Sequence, residues 1–595
     1  MNYTRPLYRN KILLVLIMLL GSVLRLYGLN WDDSHHLHPD ERFIVLTALN
    51  ITWPDSFSDY LNPETSALSP YNTENYKSYI YGTFPLFLTK ALANVFHYDA
   101  YGKLHIVGRL LSTLFDLGSL LLVYFIAMKI FSRHTGILAA AFYAVTVLPV
   151  QQSHFFTVDN FLVFWIIVTF SLLVIFMEKE NYRALVVSSL MGVSFAFALA
   201  SKVSAILFIT IIAFAMAIKF VQSLHKVRWH KNILQLTSNC IVFLISNYLI
   251  FRLVQPYAFA SGNWLDVMPQ PDFWSGLDSQ RRAISGEVMF PSQWQWVHTT
   301  PYLFPLKNLL LWGLGLPLGV SCLIGLGVFL GLQIKTITAE KIGGVGKVVR
   351  TPGFVAFMWI LFSFAYGGGS FIKSMRYFLP IIPFLIIFAA YTCTNIAAAN
   401  NKISRMSGVL IFILSLLWAV AYMSIYSRDT TRVAASKWIY KNIPETSVLA
   451  NEQWDDPLPL RLPDDVLKNE HARHKNFEWF LMRVYDPDND DKLRTLHKDM
   501  KRADYIILSS PRARETIGQL TDYFPIMSKY YRSLHLGTLG FEKVKECASY
   551  PHLFGFEIND STAEESFWVY DHPRVHIYKK VRDLSWNEYT TALSN

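Results

Sequence analysis

The chain has 595 residues, of which 52% are hydrophobic and only 16% are charged. A water-soluble protein normally carries about a quarter charged residues, so the composition excludes an ordinary soluble enzyme. The net charge of +10 does not indicate nucleic-acid binding, because much of the Lys and Arg excess lies in short loops between apolar segments.

Apolar segments of bilayer length recur from Ile12 to Met423. A membrane-spanning helix needs roughly 20 apolar residues, because hydrocarbon cannot satisfy exposed backbone polar groups. We therefore predict a polytopic α-helical membrane protein with about eleven transmembrane helices. The predicted spans are Ile12–Leu29, Leu104–Phe131, Gly136–Val150, Phe161–Met177, Ala184–Ala200, Val203–Lys219, Ile233–Phe251, Asn308–Gln333, Pro352–Tyr366, Tyr377–Asn395 and Ser407–Met423.

The basic residues predict a cytoplasmic N-terminus. Arg5, Arg9 and Lys11 precede the first span, and positively charged loops remain in the cytoplasm. An odd number of spans then places the C-terminal domain outside. Basic residues recur in every second loop thereafter, at Lys129, Arg133, Lys179, Arg183, Lys226, Arg228, Lys231, Lys335, Lys341, Lys347, Arg350, Lys402 and Arg405.

Two long loops are predicted on the outside of the membrane part, residues 1–425. Residues 30–103 contain two short amphipathic helices, Asp40–Asn50 and Pro85–Phe96, which we expect to lie along the membrane surface. Residues 252–307 are rich in Trp and Pro. This second loop is either a lid or a packed aromatic interface.

Residues 426–595 change abruptly to a soluble composition. Strands alternating with helices predict a small extracytoplasmic α/β domain. It has neither a glycine-rich phosphate loop nor a catalytic triad, which favours a scaffold or an acceptor-docking role over catalysis. The predicted elements are the helix Val433–Lys441 and the strands Ser447–Glu452, Ala503–Ser510 and Arg574–Lys580.

Charged side chains recur at the outer ends of the predicted spans. Charges near lipid are costly unless they have a partner and face a cavity. Each one also has an ordinary explanation, such as a helix dipole for Asp159 or snorkelling for Lys202 and Arg376. The group comprises Asp40, Glu41, His154, Asp159, Lys202, Lys373 and Arg376.

One kind of substrate explains the whole group. A phosphate at the membrane surface needs cations, which hold it by charge-assisted hydrogen bonds. An acceptor hydroxyl needs a carboxylate to take its proton in the transition state. A lipid-linked phosphosugar requires both.

Several segments resemble the GT-C class of membrane glycosyltransferases. They are "HPDERF" (residues 38–43), "TVDNFLVFW" (157–165), "SKVSAIL" (201–207) and "RYFLPIIPFL" (376–385), with "YGTFPLFLTKALANVF" and "GRLLSTLFD" between the first two. The closest branch is the family-39-like group, which includes protein O-mannosyltransferases and the aminoarabinose transferase of lipid A. The resemblance covers roughly residues 1–425 in order and topology.

The resemblance implies a polyprenyl-phosphate-sugar donor, used on the outer side in a single inverting displacement. Asp40 would be the general base, and Glu41 would orient the acceptor or be structural. Asp159 would share the work of the base or hold the acceptor. The basic positions expected near the lipid phosphate fall on Arg42, Lys202 and Arg376. Lys373 is a further substrate-binding candidate, and His154 would line the cavity.

No cofactor is required by this scheme, and no Rossmann fingerprint is present to bind a nucleotide sugar. His35, His36 and His38 with Asp40 leave two alternatives open. They bind a divalent metal, for which His35 and His38 are candidates, or they are solvated or hydrogen-bonded.

The C-terminal domain is not the repeat-type insertion of eukaryotic protein O-mannosyltransferases. "SKWIYKNIPETSVLANEQWDDPLPL" (residues 436–460) resembles the segment after the membrane part in prokaryotic members, which predicts a prokaryotic plasma membrane. The acceptor is left open among lipid, glycan and protein. The rival hypotheses are a membrane transporter, which would show internal repeats, and a non-catalytic lipid-sugar-binding subunit.

Overall fold

The computed structural model describes residues 5–73, 79–224, 229–340, 342–398 and 402–594. Residues 74–78 of the first predicted loop lie outside the described residues, as do Lys226, Arg228 and Lys341 of the predicted cytoplasmic loops. The chain divides into two compact units. The first contains the residues up to Leu29, Pro39–Ser285 and Thr300–Val420, and the second contains Asn30–His38, Gly286–Thr299 and Ala421–Asn595.

The first unit is helical. A 3₁₀ turn over Val203–Phe208 leads into α10, and another over Met375–Ile381 leads into α17. The helices up to the unit boundary are α1 (Arg5–Leu26), α2 (Pro39–Asn50), α3 (Phe57–Leu61), α4 (Thr83–Val95), α5 (Tyr101–Ile130), α6 (Arg133–Ala144), α7 (Val147–Ser153), α8 (Asp159–Glu178), α9 (Asn181–Leu199), α10 (Ile209–Leu224), α11 (Trp229–Val254), α12 (Pro271–Ser285), α13 (Leu303–Asn308), α14 (Leu316–Glu340), α15 (Ile342–Val349), α16 (Pro352–Gly369), α17 (Ile382–Ala398) and α18 (Lys402–Met423).

The predicted polytopic helical fold is confirmed. Within the described residues, nine helices are long and apolar enough to cross a membrane, or ten if α6 and α7 count as one bent span. The predicted count of about eleven is therefore roughly consistent, and α1 occupies the first predicted span. The segment predicted as one span over Gly136–Val150 bends by 57° between α6 and α7. Pro149 explains the break, because it has no N–H to donate to the carbonyl of Val145.

Apolar side chains lie exposed along these helices. On α11, Leu234, Ile241, Leu244 and Ile245 are 70%, 50%, 60% and 53% exposed. Such a continuous apolar surface is unfavourable in water and normal against lipid. The first unit is therefore that of a multi-pass membrane protein.

The two predicted helices of the first outside loop are present as α2 and α4. Their apolar sides, including Ile44, Val45 and Leu86, join one core with Leu104 of α5 and Phe161 of α8. This packing fixes α2 and α4 next to the N-terminal ends of α5 and α8. Their position relative to a membrane stays a prediction.

The second unit contains a five-stranded mixed sheet in the order β2-β1-β3-β7-β4. Strands β2 and β3 run parallel to β1, whereas β7 is antiparallel to both β3 and β4. The strands are β1 (Val448–Glu452), β2 (Glu478–Met482), β3 (Tyr505–Leu508), β4 (Phe541–Cys547), β5 (His552–Leu553), β6 (Phe556–Glu557) and β7 (Val575–Lys580). The helices are α19 (Thr431–Asn442), α20 (Asp464–Asn469), α21 (Asp490–Arg502), α22 (Arg512–Glu515), α23 (Pro525–His535), α24 (Glu565–Trp568) and α25 (Trp586–Ser594).

The predicted C-terminal domain with a sheet is thus confirmed, and its three predicted strands correspond to β1, β3 and β7. Part of the predicted second loop also packs in this unit. Trp294 lies against Phe524 and Tyr523, with ring centroids 4.7 Å and 5.6 Å apart. These contacts support the aromatic-interface alternative for residues 286–299, and the lid stays a prediction.

Candidate active site

Two ion pairs lie at the ends of the helices of the first unit. Asp40, in the first turn of α2, accepts a hydrogen bond from Arg376 at 2.5 Å. Both side chains keep about a fifth of their surface exposed, at 20% and 19%. The pair joins two residues 336 positions apart. It therefore connects the first predicted outside loop to the start of the tenth predicted span.

The second pair joins Asp159 to Lys202. Asp159 is the first residue of α8, and Lys202 lies in the turn between α9 and the 3₁₀ segment that precedes α10. The Lys202 Nζ donates to Asp159 Oδ1 at 2.7 Å. Asp159 is buried, whereas Lys202 remains 19% exposed.

Tyr377 brings the two pairs together. The Lys202 Nζ lies 4.8 Å from the Tyr377 ring centroid, and the Arg376 guanidinium carbon lies 5.8 Å from it. Cations near an aromatic face at such distances are attracted by the ring quadrupole. Two cations that the sequence predicts separately as site residues therefore lie near one ring, and each brings its paired carboxylate, Asp40 or Asp159, into the same cluster.

Tyr81 adds a second phenol to this cluster. Burial raises the pKa of Tyr81 well above its usual value, Asp40 raises it further, and Arg376 partly opposes the effect. Asp159 and Tyr377 also act on it. Tyr81 therefore keeps its proton at neutral pH and can donate a hydrogen bond among charged groups.

A close backbone contact holds Tyr81 and Lys202 near each other. The Gly82 N–H donates to the Ser201 carbonyl at 3.0 Å, and the Phe84 N–H donates to the Ala200 carbonyl at 3.1 Å. A Cβ on Gly82 would lie only 1.8 Å from the Ala200 oxygen. Only glycine permits this approach, so Gly82 positions the segment before α4 against the turn that carries Lys202.

Glu41 has a different environment from its neighbour Asp40. The Arg109 guanidinium binds it in a bidentate manner, with distances of 2.9 Å and 2.6 Å, and the Phe156 N–H donates to it at 2.8 Å. Glu41 and Arg109 are both 0% exposed. These contacts favour the structural alternative for Glu41, because breaking a buried ion pair costs about 3–5 kcal/mol.

Three further predicted site residues each lie close in sequence to Asp40, Asp159 or Arg376, but they make different contacts. His154 is buried, and its two ring nitrogens lie 2.8 Å and 2.9 Å from the carbonyl oxygens of Val150 and Tyr27. Lys373 is also buried, which lowers its pKa, and it donates to the Phe371 carbonyl at 3.0 Å. Arg42 is half-buried on α2. Substrate-binding roles for His154, Lys373 and Arg42 stay predictions.

The candidate metal ligands belong to the second unit. His38 packs on Tyr570, with ring centroids 4.3 Å apart. Burial lowers the pKa of His35, and Asp32 and Asp33 partly oppose that effect. In the described part of the chain, no group of three or more His, Cys, Asp or Glu side chains is arranged to hold a metal ion. The metal stays an untested alternative.

Sequence reasoning did not single out Tyr81, Tyr377 or the two buried anchors of α5. Besides Arg109, α5 carries Asp116, which accepts hydrogen bonds from Arg25 at 2.5 Å and from Tyr143 at 2.6 Å. A charge inside an apolar span is itself a signal of a partner. The two tyrosines carry no such signal in a chain that contains 31 of them.

Comparisons with known proteins agree with this architecture. Residues 85–251 match a family model described as dolichyl-phosphate-mannose-protein mannosyltransferase. Among solved structures, the chain is similar to the archaeal oligosaccharyltransferase AglB from Archaeoglobus fulgidus in complex with an inhibitory peptide and a dolichol-phosphate. The TM-score is 0.52 at 14% identity, over 88% of this chain and 72% of that one.

Two further structures are similar. An Archaeoglobus fulgidus oligosaccharyltransferase tethered with an acceptor peptide gives a TM-score of 0.51 at 13% identity, over 96% of this chain and 88% of that one. ArnT from Cupriavidus metallidurans bound to undecaprenyl phosphate gives a TM-score of 0.44 at 15% identity, over 84% of this chain and 93% of that one. No curated protein matches the chain.

The chain shares its overall fold with these archaeal oligosaccharyltransferase structures. Residues 85–251 also match the mannosyltransferase family model, so the family match and the shared fold agree with the GT-C resemblance of the sequence.

Proposed function

We propose that the protein is an inverting glycosyltransferase that moves a sugar from a polyprenyl-phosphate donor to an acceptor hydroxyl at the outer face of the membrane. The observation that carries the proposal is the grouping of Asp40–Arg376 and Asp159–Lys202 around Tyr377. The two cations would bind the donor phosphate, and the two carboxylates would hold the acceptor or take its proton.

The donor phosphate would bind to Arg376 and Lys202. An Arg presents a fork of N–H donors that matches phosphate oxygens, and a Lys supplies a compact charge. Both side chains keep 19% of their surface exposed, so a ligand can reach them. Phosphate binding would replace part of the contact that Asp40 and Asp159 now make.

Asp40 would then act as the general base. The acceptor oxygen attacks the anomeric carbon while its proton passes to Asp40, and the bond from that carbon to the phosphate oxygen breaks. The leaving polyprenyl phosphate takes the electron pair, and Arg376 and Lys202 stabilise its growing charge. Such an attack on the face opposite the phosphate inverts the anomeric configuration.

The magnitude of ion-pair energies distinguishes Asp40 from Glu41. A partly exposed pair contributes about 0–1 kcal/mol, so Asp40 can exchange Arg376 for a substrate at little cost. Glu41 would have to leave a buried bidentate pair, which costs about 3–5 kcal/mol. Asp40 is therefore the better base, and Glu41 holds α2 in position through Arg109.

The identity of the donor rests on support from relatives. The matched family is described by its dolichyl-phosphate-mannose donor, and the similar archaeal structure contains a dolichol-phosphate. We propose the same class of lipid-linked donor for this chain, with a hexose or a pentose as the sugar. The acceptor would be a lipid, a glycan or a protein, and the membrane would be the plasma membrane of a prokaryote.

The test uses purified full-length protein and a panel of polyprenyl-phosphate sugars, with release of free polyprenyl phosphate as the readout. The proposal expects release from one donor, its loss in Asp40→Asn, and its retention in Asp55→Asn. Asp55 is an exposed carboxylate in the same loop, so the control has the same chemical change. Equal release in the two variants would refute the role of Asp40.

The same preparation distinguishes the two rival functions. Donor binding without release, even with candidate acceptors present, would favour a lipid-sugar-binding subunit. Movement of intact donor across a vesicle membrane would favour a transporter.

A further inference from the structure

The second unit contains a cavity of about 570 Å³, and none of the residues that line it belongs to the charged cluster around Tyr377. Its walls come from α22, α23, β4, β7 and the turn after α22. Four cationic side chains line it, at Arg514, Arg532, Lys543 and Arg574. Its volume is typical of a site for a small ligand.

A β-bulge in the edge strand β4 explains why Lys543 and Glu546 both face this cavity. Lys543 pairs with Tyr578, and Lys545 pairs with the next residue of β7, Ile577, so Val544 is one extra residue. Side chains alternate along a regular strand, which would put positions 543 and 546 on opposite faces. The extra residue restores them to one face. The bulge thereby lets Lys543 and Glu546 of β4 line the cavity together with His576 of β7.

The acidic groups near the cavity do not neutralise it. Glu515 contacts both Arg514 and Arg574, and Glu546 accepts a hydrogen bond from Lys543 at 2.5 Å. Arg532 is exposed on the last turn of α23. Within the part of the chain that the structure describes, Arg532 has no acidic partner. Four cations therefore face two carboxylates.

His576 supplies a directed donor on the same wall. Its Nδ1 accepts a hydrogen bond from Arg514 at 3.1 Å, which leaves the proton on Nε2. That Nε2 is buried and makes no hydrogen bond to any described residue, with the Glu546 carboxylate 3.5 Å away. Burial, with Arg514 next in effect, lowers the pKa of His576 to about 4, so the ring is neutral at pH 7. A buried N–H with only this long contact to a carboxylate can still donate to a ligand oxygen.

We propose that this cavity binds the phosphate or carboxylate group of an anionic saccharide. Planar guanidinium groups and a Lys ammonium are the usual partners of such anions. The amide of Gln519 and the hydroxyl of Ser528 also line the cavity and suit the hydroxyl groups of a sugar. The Tyr531 hydroxyl donates to Glu452 at 2.6 Å, so its ring forms an apolar part of the wall. This site goes beyond the proposed transfer reaction and does not depend on it.

The test measures equilibrium binding to the full-length protein in detergent, with no polyprenyl donor present. The probes are glucose 6-phosphate, glucuronic acid and glucose, with phosphatidylglycerol vesicles as a separate arm. We expect saturable binding of the two anionic sugars and none of glucose. We expect affinity to fall about tenfold or more in Arg532→Gln and in Lys543→Gln, because each removes a charge-assisted contact.

Arg473→Gln is the matched control, since Arg473 is 81% exposed in the same unit and does not line the cavity. It should bind the anionic sugars like the unaltered protein. Absence of binding by both anionic sugars would overturn the proposal, as would equal affinity in all three variants. Binding only to the anionic vesicles would overturn the saccharide assignment and identify a lipid headgroup as the source of the phosphate. Because no transfer is measured, failure here leaves the proposed reaction unaffected.

Discussion

Asp40 and Glu41 are adjacent carboxylates with opposite expected responses to the loss of charge. Glu41→Gln would leave Arg109 buried at 0% exposure without its bidentate partner, and would weaken the hydrogen bond from Phe156. Removal of one member of a buried pair costs about 3–5 kcal/mol. Asp40→Asn removes a partly exposed pair, for which about 0–1 kcal/mol is expected. The two variants should therefore differ in stability by at least about 2 kcal/mol.

Thermal unfolding in detergent can be followed with a thiol-reactive dye, because Cys322, Cys393 and Cys547 are free and buried. We expect Glu41→Gln to label at a clearly lower temperature than the unaltered protein, and Asp40→Asn to label near it. The double variant Glu41→Gln/Arg109→Met should recover part of the loss, since it no longer buries an unpaired charge. Equal transition temperatures for the two single variants would refute the division of roles between Asp40 and Glu41.

Three further perturbations concern particular contacts. Gly82→Ala should reduce turnover although it removes no charged group, because its Cβ would meet the Ala200 carbonyl at 1.8 Å and displace the loop beside Lys202. Lys202→Ala and Arg376→Ala should each raise the donor Kd about tenfold or more, measured by titration with a lipid-phosphate sugar. Stability of the second unit should fall as pH rises from about 6.5 towards 10, and His572→Gln should remove that dependence. Burial lowers the pKa of His572, but its two carboxylate neighbours outweigh this and raise it to about 10.

Each of these three predictions has a control variant or a result that would contradict it. Gly102→Ala is the control for Gly82, since a Cβ at Gly102 would meet nothing within 4 Å. Lys347→Ala, at a 64% exposed position, is the control for the two cations, and unchanged donor affinity in both cation variants would place the phosphate elsewhere. The pKa of His572 is higher in the folded protein than its unfolded value of 6.5. The stabilisation that His572 contributes is therefore complete below pH 6.5, and it is lost as the pH rises to about 10. A pH-independent transition temperature between 6.5 and 10 would contradict this.

The sheet of the second unit shows which strands a sequence can predict. Strands β1, β3 and β7 are predictable because they form short apolar runs, and they are the three central strands. Strands β2 and β4 lie at the edges and expose most of their residues. An exposed edge strand carries little hydrophobic pattern, so the sequence alone does not indicate it.

The sequence predicts which residues belong to the candidate site, but it does not predict which carboxylate pairs with which cation. The predicted topology brings Asp40, Asp159, Lys202 and Arg376 to the same face, because Asp40 lies in the first predicted outside loop and the other three lie at predicted outer ends of spans. Which carboxylate meets which cation depends on packing over separations of 336 and 43 residues. The buried partner of Glu41 could have been inferred from Arg109, a charge inside the second predicted span.

The central claim is that Asp40 removes the acceptor proton while Arg376 and Lys202 hold the donor phosphate. The most direct test measures donor Kd and the single-turnover rate of transfer in the same preparation of Asp40→Asn. We predict that the rate falls by about 10²–10⁴-fold, as expected for loss of a general base. The Kd should be unchanged or lower, because Arg376 no longer pairs with a carboxylate. A transfer rate within a few-fold of the unaltered protein, or a loss of donor binding that accounts for the whole defect, would contradict the claim.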